Sequence, residues 1–79
     1  MSSTFYKNVA DWLRITRDSQ PKKVTQTKAA NHLNVTFQQI QKYERGINNI
    51  GLEKFYDLCK LYNIHDSLIG DLLKQFKET

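Results

Sequence analysis

Three residues, Asn34-Val35-Thr36, separate two stretches of helical periodicity, and this short gap constrains the fold more than any other feature of the chain. The spacing of apolar residues predicts helices over about Gln26 to Leu33 and over Phe37 to about Arg45. Thr25 is placed to cap the first of them. Thr36, followed three residues later by Gln39, fits a capping box, in which two side chains satisfy orphan amides of the first turn. Val35 and Ile40 occupy the two positions of a hydrophobic staple, which sets the angle at which the chain enters the helix.

The rest of the chain continues the helical pattern. A first helix is expected over about Phe5 to Arg17, with Phe5, Val9, Trp12, Leu13 and Ile15 on its apolar face. It must end before Pro21, which lacks an amide and restricts the residue before it. Asp18 to Val24 reads as a loop. A fourth helix is expected over Leu52 to Tyr62, carrying Leu52, Phe55, Cys59 and Tyr62 on one side. A fifth runs from Ser67, as its N-cap, to about Lys77, with Leu68, Ile69, Leu72, Leu73 and Phe76 as a wide stripe. No strand alternation or internal repeat is present. At 79 residues the expectation is a single all-α domain over residues 1–79, a compact five-helix bundle.

Composition narrows the function classes. No apolar run approaches the roughly 20 residues of a membrane span, and Met1-Ser2-Ser3-Thr4 lacks a signal-peptide core. Cys59 is the one cysteine, so no intramolecular disulfide can form and a reducing, cytoplasmic setting is expected. The formal net charge of +4 permits a polyanionic partner without demanding one. His32, His65 and Cys59 do not have metal-ligand spacing, and Gly46 and Gly51 do not make a phosphate-cradling loop. His32 reads as an exposed helix residue, His65 as a loop or helix-end residue, and Cys59 as a small core residue. Neither catalysis, nor a metal, nor a cofactor is expected.

Two short helices joined by Asn34-Val35-Thr36 match a helix-turn-helix unit. The segment from Thr25 to Gly46 resembles the Cro/repressor family, also called the xenobiotic-response-element family. The resemblance begins at Leu13-Arg14, continues through Arg17 and ends near Ile64. Its most specific part is Val35-Thr36 through Ile40 to Tyr43-Glu44-Arg45-Gly46. It implies a lambda-repressor-like fold in which Ala30 permits the close crossing of two helices and Ile40 packs beneath the reading helix. It also implies an internal ion pair between Arg17 and Glu44. Asn34 and Asn63 stand where the family usually has glycine, and asparagine is the next-best residue for a left-handed backbone. The resemblance places a phosphate-gripping glutamine at Gln26, which also braces the reading helix.

With Ile40, Tyr43 and Glu44 turned inward, helical geometry leaves Phe37, Gln38, Gln41, Lys42 and Arg45 on the other face. In phage repressors and Cro the N-terminal part of such a helix enters the major groove. Gln38 suits adenine, Lys42 suits guanine, Gln41 suits either, and Phe37 suits a thymine methyl group or else caps the turn by packing on Val35 or Leu33. Phosphate contacts are expected from Gln26, Thr36, Arg45, Asn48 and Asn49, with Lys22, Lys23 and Lys28 as weaker candidates. In the fifth helix, Leu68 and Leu72 are expected to close the core. Ile69, Leu73 and Phe76 are then left for a homodimer that reads a palindromic operator in double-stranded DNA. The leading expectation is a transcriptional repressor with no small-molecule ligand. The alternative is a protein-binding module, such as an antitoxin acting through the last helix.

Overall fold

The computed structural model describes residues 4–77, in five helices: α1 (Thr4–Asp18), α2 (Gln26–Leu33), α3 (Phe37–Glu44), α4 (Leu52–Leu61) and α5 (Asp66–Lys77). There is no strand among the described residues. Helix α1 runs one residue further at each end than its apolar spacing predicts, and still stops short of Pro21. The Ser19 hydroxyl donates to the Ile15 carbonyl at 2.7 Å and closes that last turn. Helices α3 and α4 each end one residue earlier than expected, and α5 starts one residue earlier, at Asp66.

Three helices end in the same way, and the endings explain how so short a chain turns so often. After α2, the Asn34 and Val35 amides bond back to Asn31 and Ala30 at 3.2 and 3.0 Å. After α3, Gly46 and Ile47 bond to Tyr43 and Lys42, and after α4, Asn63 and Ile64 bond to Lys60 and Cys59. Each is a Schellman closure around one left-handed residue. The φ angles are 57° at Asn34, 73° at Gly46 and 61° at Asn63, so the two asparagines make the turns expected of them. The helix starts are equally local. The Thr25 and Thr36 hydroxyls accept from the Lys28 and Gln39 amides at 3.0 and 3.1 Å. Among the described residues the Gln39 side chain does not return a bond to Thr36, so only half of the capping box forms.

Helix α1 packs on α3 and α5, and α2 on α3 and α4. The core between them contains Leu13, Ala29, Ile40 and Cys59, each no more than 1% exposed. Burial pushes the Cys59 thiol up to about 11, which leaves it protonated and inert. The far side of the core is aromatic. Phe76 meets Phe5, Trp12 and Phe55 with ring centroids 5.8–6.0 Å apart, all edge-on.

This arrangement corrects three expectations for α5. Phe76 is buried in the core, not left for a partner, because the rings of α1 and α4 enclose it. Leu68, expected to close the core, is 50% exposed, while Ile69, Leu72 and Leu73 are half-buried against it. A helix presents one stripe to its neighbours, and Phe76 sets which residues share that stripe. Ser67 is not the N-cap. That position falls to His65, whose Nδ1 accepts from the Ser67 amide at 3.2 Å.

Candidate nucleic-acid interface

The candidate surface is built on α3, and its precision begins on the buried side. Ile40 is 1% exposed and Glu44 5% exposed, one turn apart on the inner face. A buried carboxylate is costly unless it is paired and hydrogen-bonded. Glu44 is both. Arg17 Nε donates to Glu44 Oε2 at 2.7 Å, and Arg17 Nη2 donates to Oε1 at 3.0 Å, a bidentate fork. Gln26 Nε2 adds a third bond to Glu44 Oε1 at 3.0 Å. The other arm of Arg17 donates to the Val24 carbonyl at 3.1 Å and lies 3.2 Å from Asp18. The bond to Glu44 is the largest influence on Arg17 and raises its pKa above the usual guanidinium value.

One carboxylate thus joins α1, α3 and the first residue of α2. The end of α3 is held against the helix that carries Gln26, so the two helices of the motif cannot rotate independently. Periodicity places Arg17 and Glu44 on their helices but says nothing of Gln26 meeting Glu44, 18 residues away. The Val24 carbonyl is equally invisible to pattern, because a backbone acceptor has no residue signature.

The outer side of α3 has the opposite character. Phe37, Gln38 and Lys42 are exposed, Gln41 is half-buried, and none is acidic. Phe37 is 41% exposed, which leaves an apolar ring at the N-terminal end of the helix beside Gln38. Around this face Thr36, Arg45, Asn48 and Asn49 are exposed, with Gln26 half-buried at the start of α2. Arg45 caps α3 in a right-handed conformation, and the Asn48 amide bonds to the Lys42 carbonyl at 3.3 Å. The loop after Gly46 is therefore folded back onto the helix end. The Thr36 oxygen accepts from Gln39, so its hydroxyl proton remains available to an acceptor outside. Lys22, Lys23 and Lys28 are exposed on and near the loop before α2.

His32 is exposed on α2, and its Nε2 is 3.1 Å from the Asp57 carbonyl of α4. No group of His, Cys, Asp and Glu among the described residues is arranged to hold a metal. No helix among them is long and apolar enough to cross a membrane.

Residues 13–69 match the helix-turn-helix family. The chain belongs to this family, in its Cro/repressor branch. The match takes in α2 and α3, starts at Leu13 and reaches Ile69, inside α5. Relatives of this helix-turn-helix chain are named as regulators. An uncharacterized HTH-type transcriptional regulator of Sinorhizobium medicae is 39% identical over 41 residues, covering 52% of this chain and 30% of the relative. Another from Sinorhizobium fredii is 33% identical over 54 residues, or 68% of this chain and 38% of the relative. A Rhodospirillum rubrum protein, an uncharacterized transcriptional regulator in the ATPase CF(0) region, is 51% identical over 35 residues, or 44% and 32%. The chain spans about a third of the length of the curated relatives it matches. No solved structure matches it significantly. The Cro/repressor helix-turn-helix family is non-enzymatic.

Proposed function

We propose that the chain is the DNA-reading module of a sequence-specific transcriptional repressor that binds a palindromic operator as a homodimer. The observation that carries this reading is the two-sidedness of α3. Its inner side is immobilised through Ile40 and Glu44, while Phe37, Gln38, Gln41 and Lys42 face outward with no acid among them. In the major groove Gln38 pairs with adenine N6 and N7, Lys42 donates to guanine O6 and N7, and Gln41 serves either base. Phe37 covers a thymine methyl. Gln26, Thr36, Arg45, Asn48 and Asn49 contact phosphates on either side; Gln26 gives one amide proton to Glu44 and keeps a second for phosphate.

The homodimer uses the half-buried edge of α5. Ile69 and Leu73 flank the core, and Leu73 joins Phe5, Tyr6 and Leu52 around a groove of about 270 Å³. Phe76 lies in the core and contributes only as support. A two-fold axis there presents two reading helices to half-sites about 34 Å apart.

Selection from a random double-stranded DNA pool tests the reading. The expected product is an enriched palindrome with half-sites one helical turn apart. Enrichment of a single half-site would remove the dimer, and no enrichment at all would overturn DNA reading and favour a protein-binding module.

A further inference from the structure

From Ser19 to Tyr43 the chain contains no aspartate or glutamate. The lysines of this stretch, Lys22, Lys23, Lys28 and Lys42, are all exposed. The ion pairs among the described residues engage Arg14, Arg17 and Lys60, so none of these four lysines has a carboxylate partner. Lys42 is on the reading helix, and the other three stand around the start of α2.

Those three do not form one patch. Lys22 and Lys28 line the same open notch of about 220 Å³, between the loop before α2 and the end of α4, with Gln20, Val24, Leu61 and Asn63. None of its lining residues is acidic. Gln20 Nε2 donates to the Thr16 carbonyl at 3.0 Å, which leaves its second amide proton for a ligand. Lys23 lines the neighbouring notch with Arg17 and Asp18, where the Asp18 carboxylate opposes an anion. Two ammonium groups bordering one concavity repel each other, and an anion seated between them relieves that repulsion.

Position identifies the anion. Gln26 and Lys28 are two residues apart on α2, so they point roughly 200° apart around its axis. Gln26 faces Glu44 of α3, so Lys28 and its notch lie on the side of α2 turned away from the reading helix. A DNA strand whose phosphate meets Gln26 continues past the start of α2 towards that side.

We infer that the notch between Lys22 and Lys28 holds a DNA backbone phosphate beyond the one at Gln26, on the side away from α3. The contact carries no sequence information; it lengthens the footprint of each half-site and adds affinity. The identity of the partner rests on the DNA-reading role of α3, whereas the anion chemistry of the notch does not.

The test compares the double variant Lys22→Gln and Lys28→Gln with the double variant Lys7→Gln and Lys74→Gln, which removes the same charge from exposed positions of α1 and α5. Binding to the selected operator and to random duplex of equal length is measured over a range of salt concentrations. Losing one phosphate contact lowers the slope of log affinity against log salt by about 1 on both duplexes. The ratio of operator to random affinity stays that of the parent, and the α1/α5 variant keeps the parent slope. An unchanged slope in the notch variant would overturn the inference. So would an equal fall in both variants, because net charge alone would then explain it. Either result leaves operator preference, and with it the reading role, standing. A parent without operator preference, combined with a lower slope in the notch variant alone, would remove the reading role and keep the phosphate notch.

Discussion

The two helices that differ most in this molecule are α3 and α5. Helix α3 is held by a directional polar network, with Glu44 receiving three hydrogen bonds from α1 and α2 at 2.7–3.0 Å. Helix α5 is held mainly by Phe76 among three other rings, reinforced by Asn8 Nδ2 donating to the Phe76 carbonyl at 2.8 Å. Aromatic packing stabilises strongly but tolerates small shifts, because dispersion falls off gently with displacement. A bidentate fork tolerates almost none, because hydrogen bonds weaken steeply with angle. The helix proposed to place side chains against base edges is the one secured by the less forgiving interaction.

The largest effect is expected at Arg17. Arg17→Ala leaves Glu44 buried without its cation, and the expected loss is about 3–5 kcal/mol in urea unfolding. A loss below 1 kcal/mol would reduce the pair to an ordinary surface contact. Substitutions on the outer side of α3 should separate reading from folding. Gln38→Ala and Lys42→Ala each cost about 1–3 kcal/mol in binding to the selected operator. Stability should change by less than about 0.5 kcal/mol, and binding to random DNA should be largely spared. Equal losses on operator and random DNA would remove these two residues from base recognition.

The aromatic side should forgive more. Phe76→Leu keeps an apolar group in place and should cost about 1–2 kcal/mol, with operator preference unchanged in a competition assay. Thr36→Ala removes the cap of α3 and should cost about 1 kcal/mol, read as a lower unfolding midpoint. The smallest effect belongs to the clasp between α4 and α5. Asp66 accepts from Lys60 Nζ at 2.8 Å and from the Tyr56 hydroxyl at 3.2 Å, and the Lys60 bond is the main reason the Asp66 carboxyl is held below its ordinary value. A carboxyl lowered in the folded state stabilises above its ordinary pKa, and this contribution is lost as pH falls from about 3.9 through the folded value. Acid unfolding below about pH 4 should therefore be slightly steeper in the parent than in Lys60→Met. Superimposable acid profiles would show that the exposed clasp contributes nothing.

The comparison also explains what could be read from the chain and what could not. The start of α3 was legible because a cap is local: Thr36 and Gln39 are three residues apart, and the amide they share is in the same turn. Asn34 and Asn63 were legible because a left-handed backbone limits the residue type at that position. The outward side of α3 followed once Ile40 was assigned to the core, since 3.6 residues per turn leave little choice. The partition of α5 was not legible. Its stripe is wide enough that Leu68, Ile69, Leu72, Leu73 and Phe76 could each face inward, and only the rings of α1 and α4 select Phe76 and expose Leu68.

By itself, then, the sequence determined where helices start and stop and which residues of α3 remain outside, because caps, left-handed turns and helical periodicity act within a few residues. Tertiary structure alone decided that the brace from Gln26 closes on the Glu44 carboxylate, and that Phe76 is core. These contacts join positions 18 to 71 residues apart in the chain. No local propensity encodes such a meeting; it arises when several amphipathic faces must bury their apolar sides at once, and polar atoms carried inward must find partners there.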